Sequence, residues 1–273
     1  MPPARLLFYA ATAGAIALAI KSVVLAPPPV WVAGTALFLY TGLVALGAVF
    51  ARFSMFADVV TFGPRNARGV ALTFDDGPDP ESTRAILDQL DEAGAKATFF
   101  VIGRKADAHP EVVREIVERG HAIGVHGYTH DRLFTFRSPW RVRKDIQRAV
   151  DRVQEITGVK PWLFRAPIGH ISPSIGKVIR QMELQAIGWS ARGLDGWPAT
   201  KPEDTARRVI RSLKDGAIIL MHDASERGDF VPASVEALPA ILAAAAEKNL
   251  PFVRVDSWLG GGSVEDQRAA HED

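Results

Sequence analysis

The chain has 273 residues, 48% of them apolar, which is enough for one large core or two small ones. Its 32 Lys and Arg against 31 Asp and Glu leave a net charge of +1, so bulk electrostatics give no ground for a nucleic-acid partner. The absence of cysteine excludes disulfides, thiolate catalysis and cysteine-ligated zinc, and leaves the compartment open.

In chain order, the first two elements are apolar. Residues 6–26, "LLFYAATAGAIALAIKSVVLA", carry one charge, Lys21, and residues 30–50, "VWVAGTALFLYTGLVALGAVF", carry none. A bilayer-spanning helix needs about 20 apolar residues, and Lys21 sits near an end, where its ammonium can reach the interface. "PPP" at 27–29 joins the two stretches as a tight hairpin and makes a poor signal-peptide cleavage site, which disfavours a cleaved leader as the alternative for the first stretch. Residues 1–55 therefore read as a membrane anchor of two transmembrane helices, and 56–68 as a linker. Arg5, Arg52, Arg65 and Arg68 flank the outer ends while the hairpin loop has no Lys or Arg. The positive-inside rule then places the C-terminal part on the cytoplasmic side of an inner, cytoplasmic-type membrane. A periplasmic or extracellular domain is the alternative, reached if the first stretch lies in the interface.

From residue 69 the pattern changes to short apolar runs alternating with amphipathic segments. Strands are predicted at 69–74, 97–102, 121–125, 161–165, 184–189, 217–222 and 251–255. Helices are predicted at 79–94 (Asp79 as N-cap), 109–120, 138–158, 172–182, 201–216 and 232–249. Such alternation implies an α/β domain over 69–259 with about seven parallel strands covered by helices. The tail 260–273 is polar and reads as disordered.

Sites in parallel sheets form at the C-terminal strand ends. Five of these ends deliver Asp75-Asp76, His126 with His130, Arg165, Asp195 and His222. Two adjacent carboxylates at a buried strand end repel each other, and a divalent cation answers that repulsion. His-x-x-x-His can bring two imidazoles to the same ion, and one Asp with two His leaves a coordination position open, as catalytic sites require. His109 and His121 read as surface or helix-cap residues, His170 as structural, and Trp140, Trp162 and Trp189 as packing.

The motifs "TFDDGP" (73–78), "HGYTH" (126–130), "RAPIG" (165–169), "LDGW" (194–197) and "LMH" (220–222) resemble, in order, the five motifs of the NodB-homology polysaccharide deacetylases, carbohydrate esterase family 4. The resemblance spans about 69–259. It implies a distorted (β/α) barrel, usually of seven strands, and a divalent metal, commonly zinc, with cobalt, nickel or manganese as alternatives. It implies Asp75 as catalytic base, Asp76, His126 and His130 as metal ligands, Arg165 as the partner of Asp75, His222 as general acid and Asp195 as the partner of His222. Trp197 and Leu220 would line the acyl pocket, and the Ile168 backbone N–H would help hold the oxyanion.

This chain departs from the family at two motifs. Gly127 follows the first metal histidine where relatives often have Ser or Thr, and "RGLDGW" has Arg192 near the usual first aspartate and Gly196 inserted before Trp197. The expected function is metal-dependent removal of a small acyl group from an amino sugar, in a polysaccharide or a lipid-linked saccharide. A catalytically silent membrane-bound glycan binder or scaffold and a hydrolase of non-sugar amides are the alternatives. The sequence does not specify the oligomeric state.

Overall fold

Strands alternate in side-chain direction, and here that alternation divides the core into two layers. In the computed structural model, which describes residues 1–260, eight strands form one parallel sheet. They are β1 (Val59–Val60), β2 (Ala71–Asp75), β3 (Ala97–Val101), β4 (Ala122–Val125), β5 (Leu163–Phe164), β6 (Gln185–Ile187), β7 (Ala191–Arg192) and β8 (Ile218–His222). Their order is β1-β6-β5-β4-β3-β2-β8-β7, a curled half-barrel whose edge strands β1 and β7 do not pair with each other. Leu72 and Phe74 of β2, Phe99 and Val101 of β3, Ile123 and Val125 of β4 and Met221 of β8 face outward into the helix-covered core. Ala71, Phe100, Ala122, Leu163, Ile187 and Ile218 form a smaller inner cluster. Phe74 and Phe99 stack at 5.1 Å between ring centroids, each in the range of about 1.5–3 kcal/mol for full burial.

Helices α1 (Pro3–Val24) and α2 (Val30–Val49) precede the sheet. The outer layer holds α3 (Ser82–Glu92), α4 (Gly103–Ala108), α5 (Pro110–Glu118), α6 (Pro139–Thr157), α7 (Pro173–Gln181), α8 (Pro202–Ser212) and α9 (Ser234–Glu247). Four of these seven, α5, α6, α7 and α8, carry Pro at or next to the first helical position. Ser172 also accepts a hydrogen bond from Ile175 N at the start of α7. By length and composition α1 and α2 can cross a membrane. None of α1 is buried, and in α2 only Gly47 and Ala48 are.

Several expectations change. The stretch 56–68 is more than a linker: Met55, Phe56, Ala57 and Ala67 are buried and Val59–Val60 pairs with β6 as an edge strand. Strand β7 and helix α4 are additional. Residues 251–255 form no strand: Phe252 makes a single bridge to Val70, and a short 3-10 helix begins at Val255. Helix α3 starts at Ser82, and Asp79 accepts hydrogen bonds from Glu81 N and Ser82 N one turn earlier. His121 is buried, its Nδ1 accepting from Ala97 N, and burial pulls its pKa down to about 4. Trp140 is 68% exposed, so it does not serve packing. The tail expectation lies, from residue 261, outside the described residues.

Candidate active site at the strand ends

The inner face of the curl positions the polar residues. Thr73 and Asp75 follow Ala71 on the inward side of β2, and His222 follows Ile218 and Leu220 on β8. Arg165, one residue past β5, is fully buried and extends across the curl. Its Nη1 donates to Asp75 Oδ1 at 2.7 Å and to Thr73 Oγ1 at 2.8 Å. Its remaining donors reach the carbonyls of Ile187 (3.2 Å) and Gly188 (3.0 Å), and its guanidinium lies 4.2 Å from the Phe100 ring centroid. Burial lowers the Arg165 pKa and the Asp75 charge opposes that pull. A buried cation with one carboxylate and three further acceptors is a paired charge rather than an orphan.

After Asp75 the backbone leaves the strand at Asp76, where φ is 75°, a region that residues with a short polar side chain tolerate. Asp76 Oδ1 is buried without a hydrogen-bond partner and lies 3.3 Å from His130 Nε2 and 3.7 Å from His126 Nε2. The side-chain ligand atoms of these three residues all fall within 4.8 Å of one another. His126 Nδ1 is 2.8 Å from the Arg165 carbonyl oxygen, which can only accept. The proton therefore sits on Nδ1 and the Nε2 lone pair faces Asp76. Burial, then the neighbouring His126, lower the His130 pKa, favouring the neutral imidazole that binds metals. An orphaned buried carboxylate oxygen and two imidazole lone pairs fit a divalent cation, so these residues can hold one.

On the far side of the cleft, His222 is held by Asp195. The fully buried Asp195 accepts from His222 N through Oδ2 (2.7 Å) and faces His222 Nδ1 through Oδ1 (3.1 Å). Burial acts to lower the His222 pKa, but the charge and hydrogen bond of Asp195, with Asp76 and Asp75 behind it, override this and hold it up at about 9. Asp75, Asp76, His126, His130 and His222 line one cleft of about 540 Å³, with Ile168, Trp197 and Leu220 also in its wall. Ile168 has φ 61°, a strained conformation for a β-branched residue, and its side chain is 47% exposed. Arg192 and Gly196 line the same cleft.

Sequence reasoning missed several supporting residues. Glu226 Oε1 lies 3.2 Å from His130 Nδ1, and Glu226 receives a two-pronged hydrogen-bonded pair from Arg132 (Nε 3.1 Å, Nη2 2.7 Å). Asp145 of α6 accepts from Tyr128 N (2.7 Å), Thr129 N (3.1 Å) and Thr129 Oγ1 (2.7 Å), bracing the His126–His130 loop. Gly127 belongs to that device: its φ is +76°, and a Cβ there would come within 2.9 Å of Asp145 Oδ1. The glycine thus permits the turn, and Asp145 supplies bracing that a hydroxyl at position 127 would otherwise offer. Fully buried Asp223 accepts from Gly77 N (3.1 Å) and Thr83 Oγ1 (2.6 Å), tying the "DDGP" turn to β8, and burial raises its pKa to about 7. No local pattern announces Glu226 or Asp145, because each meets the site across a tertiary approach.

A parallel half-barrel with these groups at its C-terminal strand ends can serve a hydrolase, and comparison gives the family. Residues 62–187 match the family model for polysaccharide deacetylase. A peptidoglycan-N-acetylglucosamine deacetylase from Bacillus cereus is 34% identical over 197 residues, covering 72% of this chain and 70% of that protein. A chitooligosaccharide deacetylase from Azorhizobium caulinodans is 36% identical over 161 residues, 58% of this chain and 75% of its own. A solved peptidoglycan N-acetylglucosamine deacetylase structure superposes with a TM-score of 0.71 at 30% identity, covering 78% of this chain and 98% of the other. The chain belongs to the NodB-homology polysaccharide deacetylases, carbohydrate esterase family 4, and is a hydrolase of that class.

Proposed function

We propose that the chain removes an N-acetyl or other small acyl group from an amino sugar of a membrane-held or envelope saccharide, using a divalent cation held by Asp76, His126 and His130. The observation that carries this reading is the juxtaposition, in one cleft, of an unpartnered buried Asp76 Oδ1 facing two imidazoles, an Arg165-held Asp75 and an Asp195-held His222.

The cation, most simply zinc given the nitrogen and oxygen donors, supplies Lewis acidity that polarises the amide carbonyl and acidifies water. Asp75 takes the proton of the attacking water, and Arg165 orients that carboxylate through the 2.7 Å hydrogen bond from its Nη1. The Ile168 N–H, on the cleft wall in a loop whose strained φ fixes its direction, is a candidate donor for the tetrahedral oxyanion. His222, held protonated by Asp195, gives its proton to the departing amine. Leu220 and Trp197 provide the apolar wall for the acyl methyl. The relocated aspartate of the fourth motif does not favour a silent scaffold, since Asp195 still pairs with His222.

The decisive test incubates the full chain with acylated amino sugars, both polymeric and lipid-linked, and detects released acid by mass spectrometry. Acid release from either class supports the reading, and intact substrates with a metal-loaded chain overturn it. We further propose that α1 and α2 span a bilayer with the domain on the cytoplasmic side, as the Lys and Arg distribution directs. A reporter fused after Asp273 reads the face, and an external signal overturns that assignment.

A further inference from the structure

Among the described residues from β1 onward, every large apolar side chain left exposed except Phe62 lies in the connection that follows the C-terminal end of β4, β5, β7 or β8, with Trp140 in the first turn of α6. The cleft opens at this end. Leu133 (56%), Phe136 (84%) and Trp140 (68%) lie together after β4 and none lines the cleft, so contact with a sugar bound there does not account for them. They lie in the segment 132–144, "RLFTFRSPWRVRK", with five cations and no carboxylate. Arg132 and Arg137 are paired with Glu226 and Asp131. Arg141, Arg143 and Lys144 form no ion pair among the described residues, and Lys144 Nζ sits 5.5 Å from the Trp140 ring centroid. Aromatic residues interleaved with cations characterise surfaces that rest in the headgroup layer of anionic membranes.

The anchor reaches the domain at the same end. Ala48 O of α2 accepts a hydrogen bond from Ile171 N at 3.0 Å, and Ile171 belongs to the loop between β5 and α7 that also carries Ile168. Just past α2, the Arg52 guanidinium lies 5.6 and 5.2 Å from the half-exposed Phe50 and Phe53 rings, a second aromatic–cation group where the chain leaves the helix. The anchor is fixed to the barrel by Arg5, which donates to Ser54 O (3.0 Å) and Asp58 Oδ1 (2.8 Å), and by the edge-on contact of Phe8 with Phe56.

We propose that the segment 132–144 rests on the anionic headgroup layer of the bilayer that α1 and α2 enter, holding the cleft mouth against that surface so that the substrate is a saccharide carried by the membrane itself. This rests on α1 and α2 being spans. A neutral N-acetylated glycan offers the unpaired cations no partner, whereas headgroup phosphates do.

The cysteine-free sequence allows single spin labels on the full chain at Phe136→Cys, at Leu39→Cys in α2 and at Glu118→Cys at the opposite end of the barrel. The chain is placed in nanodiscs of phosphatidylcholine with phosphatidylglycerol, and accessibility to oxygen is compared with accessibility to a water-soluble nickel chelate. The expected oxygen-to-nickel ratio is several-fold higher at positions 39 and 136 than at 118, and falls at 136 alone in pure phosphatidylcholine. A lipid-like Leu39→Cys label with a Phe136→Cys label as wet as that at 118 overturns the docking and leaves the anchor standing. A wet label at position 39 overturns the anchor and the docking with it. An unchanged ratio at 136 in pure phosphatidylcholine overturns the anionic preference. Immobilisation of the 136 label by an N-acetylated chito-oligosaccharide, with no lipid contact, would assign the segment to glycan instead.

Discussion

Between Asp75 and Asp76 the backbone passes from extended strand to φ 75°, and the two carboxylates part company there. Asp75 is engaged by Arg165 and Thr73 shares that guanidinium, while Asp76 Oδ1 meets no donor at all. The unlike surroundings suit a base and a metal ligand. At this scale the supporting groups are as informative as the ligands. With its Oε1 3.2 Å from His130 Nδ1, Glu226 can fix that ring and raise its basicity toward a cation. Glu226→Gln should therefore weaken metal affinity by about 10–100-fold, read by competition with a fluorescent chelator; unchanged affinity would remove Glu226 from the account. For His222, the charge of Asp195 overrides burial and keeps the imidazole protonated. Removing that charge in Asp195→Asn lowers the imidazole pKa, so the proton donor is lost at lower pH. The alkaline limb of the rate profile should move to lower pH, and a limb that stays in place would contradict the pairing.

At the scale of elements, the junction between the α1–α2 hairpin and the barrel is a packed interface. Phe56 O lies so close to Gly176 in α7 that a Cβ there would sit 2.1 Å away, and Arg180 of the same helix donates to that carbonyl at 2.6 Å. Gly176→Ala should force the two apart and cost about 1–3 kcal/mol, visible as a lower unfolding midpoint and faster proteolysis after residue 50; an unchanged midpoint would show the junction to be loose. The same junction marks the limits of sequence reading. The strand ends at Asp75 and His222 were legible because the runs "VALTF" and "AIILMH" are long enough to declare themselves and end in polar residues. The strands β1 and β7 span two residues each, too short for any periodicity, and β1 lies within a stretch read as a linker. The apolar run 251–255 has strand composition, yet after one bridge to Val70 its chain turns away as Val255 N donates to Thr98 Oγ1.

Across the whole molecule, the motifs disclosed the residues nearest the chemistry, and tertiary approach supplied what holds them. Asp145 reaches the His126–His130 loop from α6, and Glu226 reaches His130 from the loop after β8, 96 residues further along the chain than His130's own position would suggest by local pattern (Arg132 to Glu226 alone spans 94). Asp195 reaches His222 although the motif around it is altered, because the short β7 pairs with β8 beside it. The end of α2, the strand ends and the loops around the cleft thus meet at one end of the barrel. The central claim is that Asp75 acts as base beside a cation it does not hold. Metal content and turnover measured on one preparation of Asp75→Asn test it most directly. The expected result is an ion content equal to that of the unaltered chain with turnover lower by about 10²–10⁴-fold. A variant that keeps full turnover, or that loses activity only because it loses its ion, would contradict it.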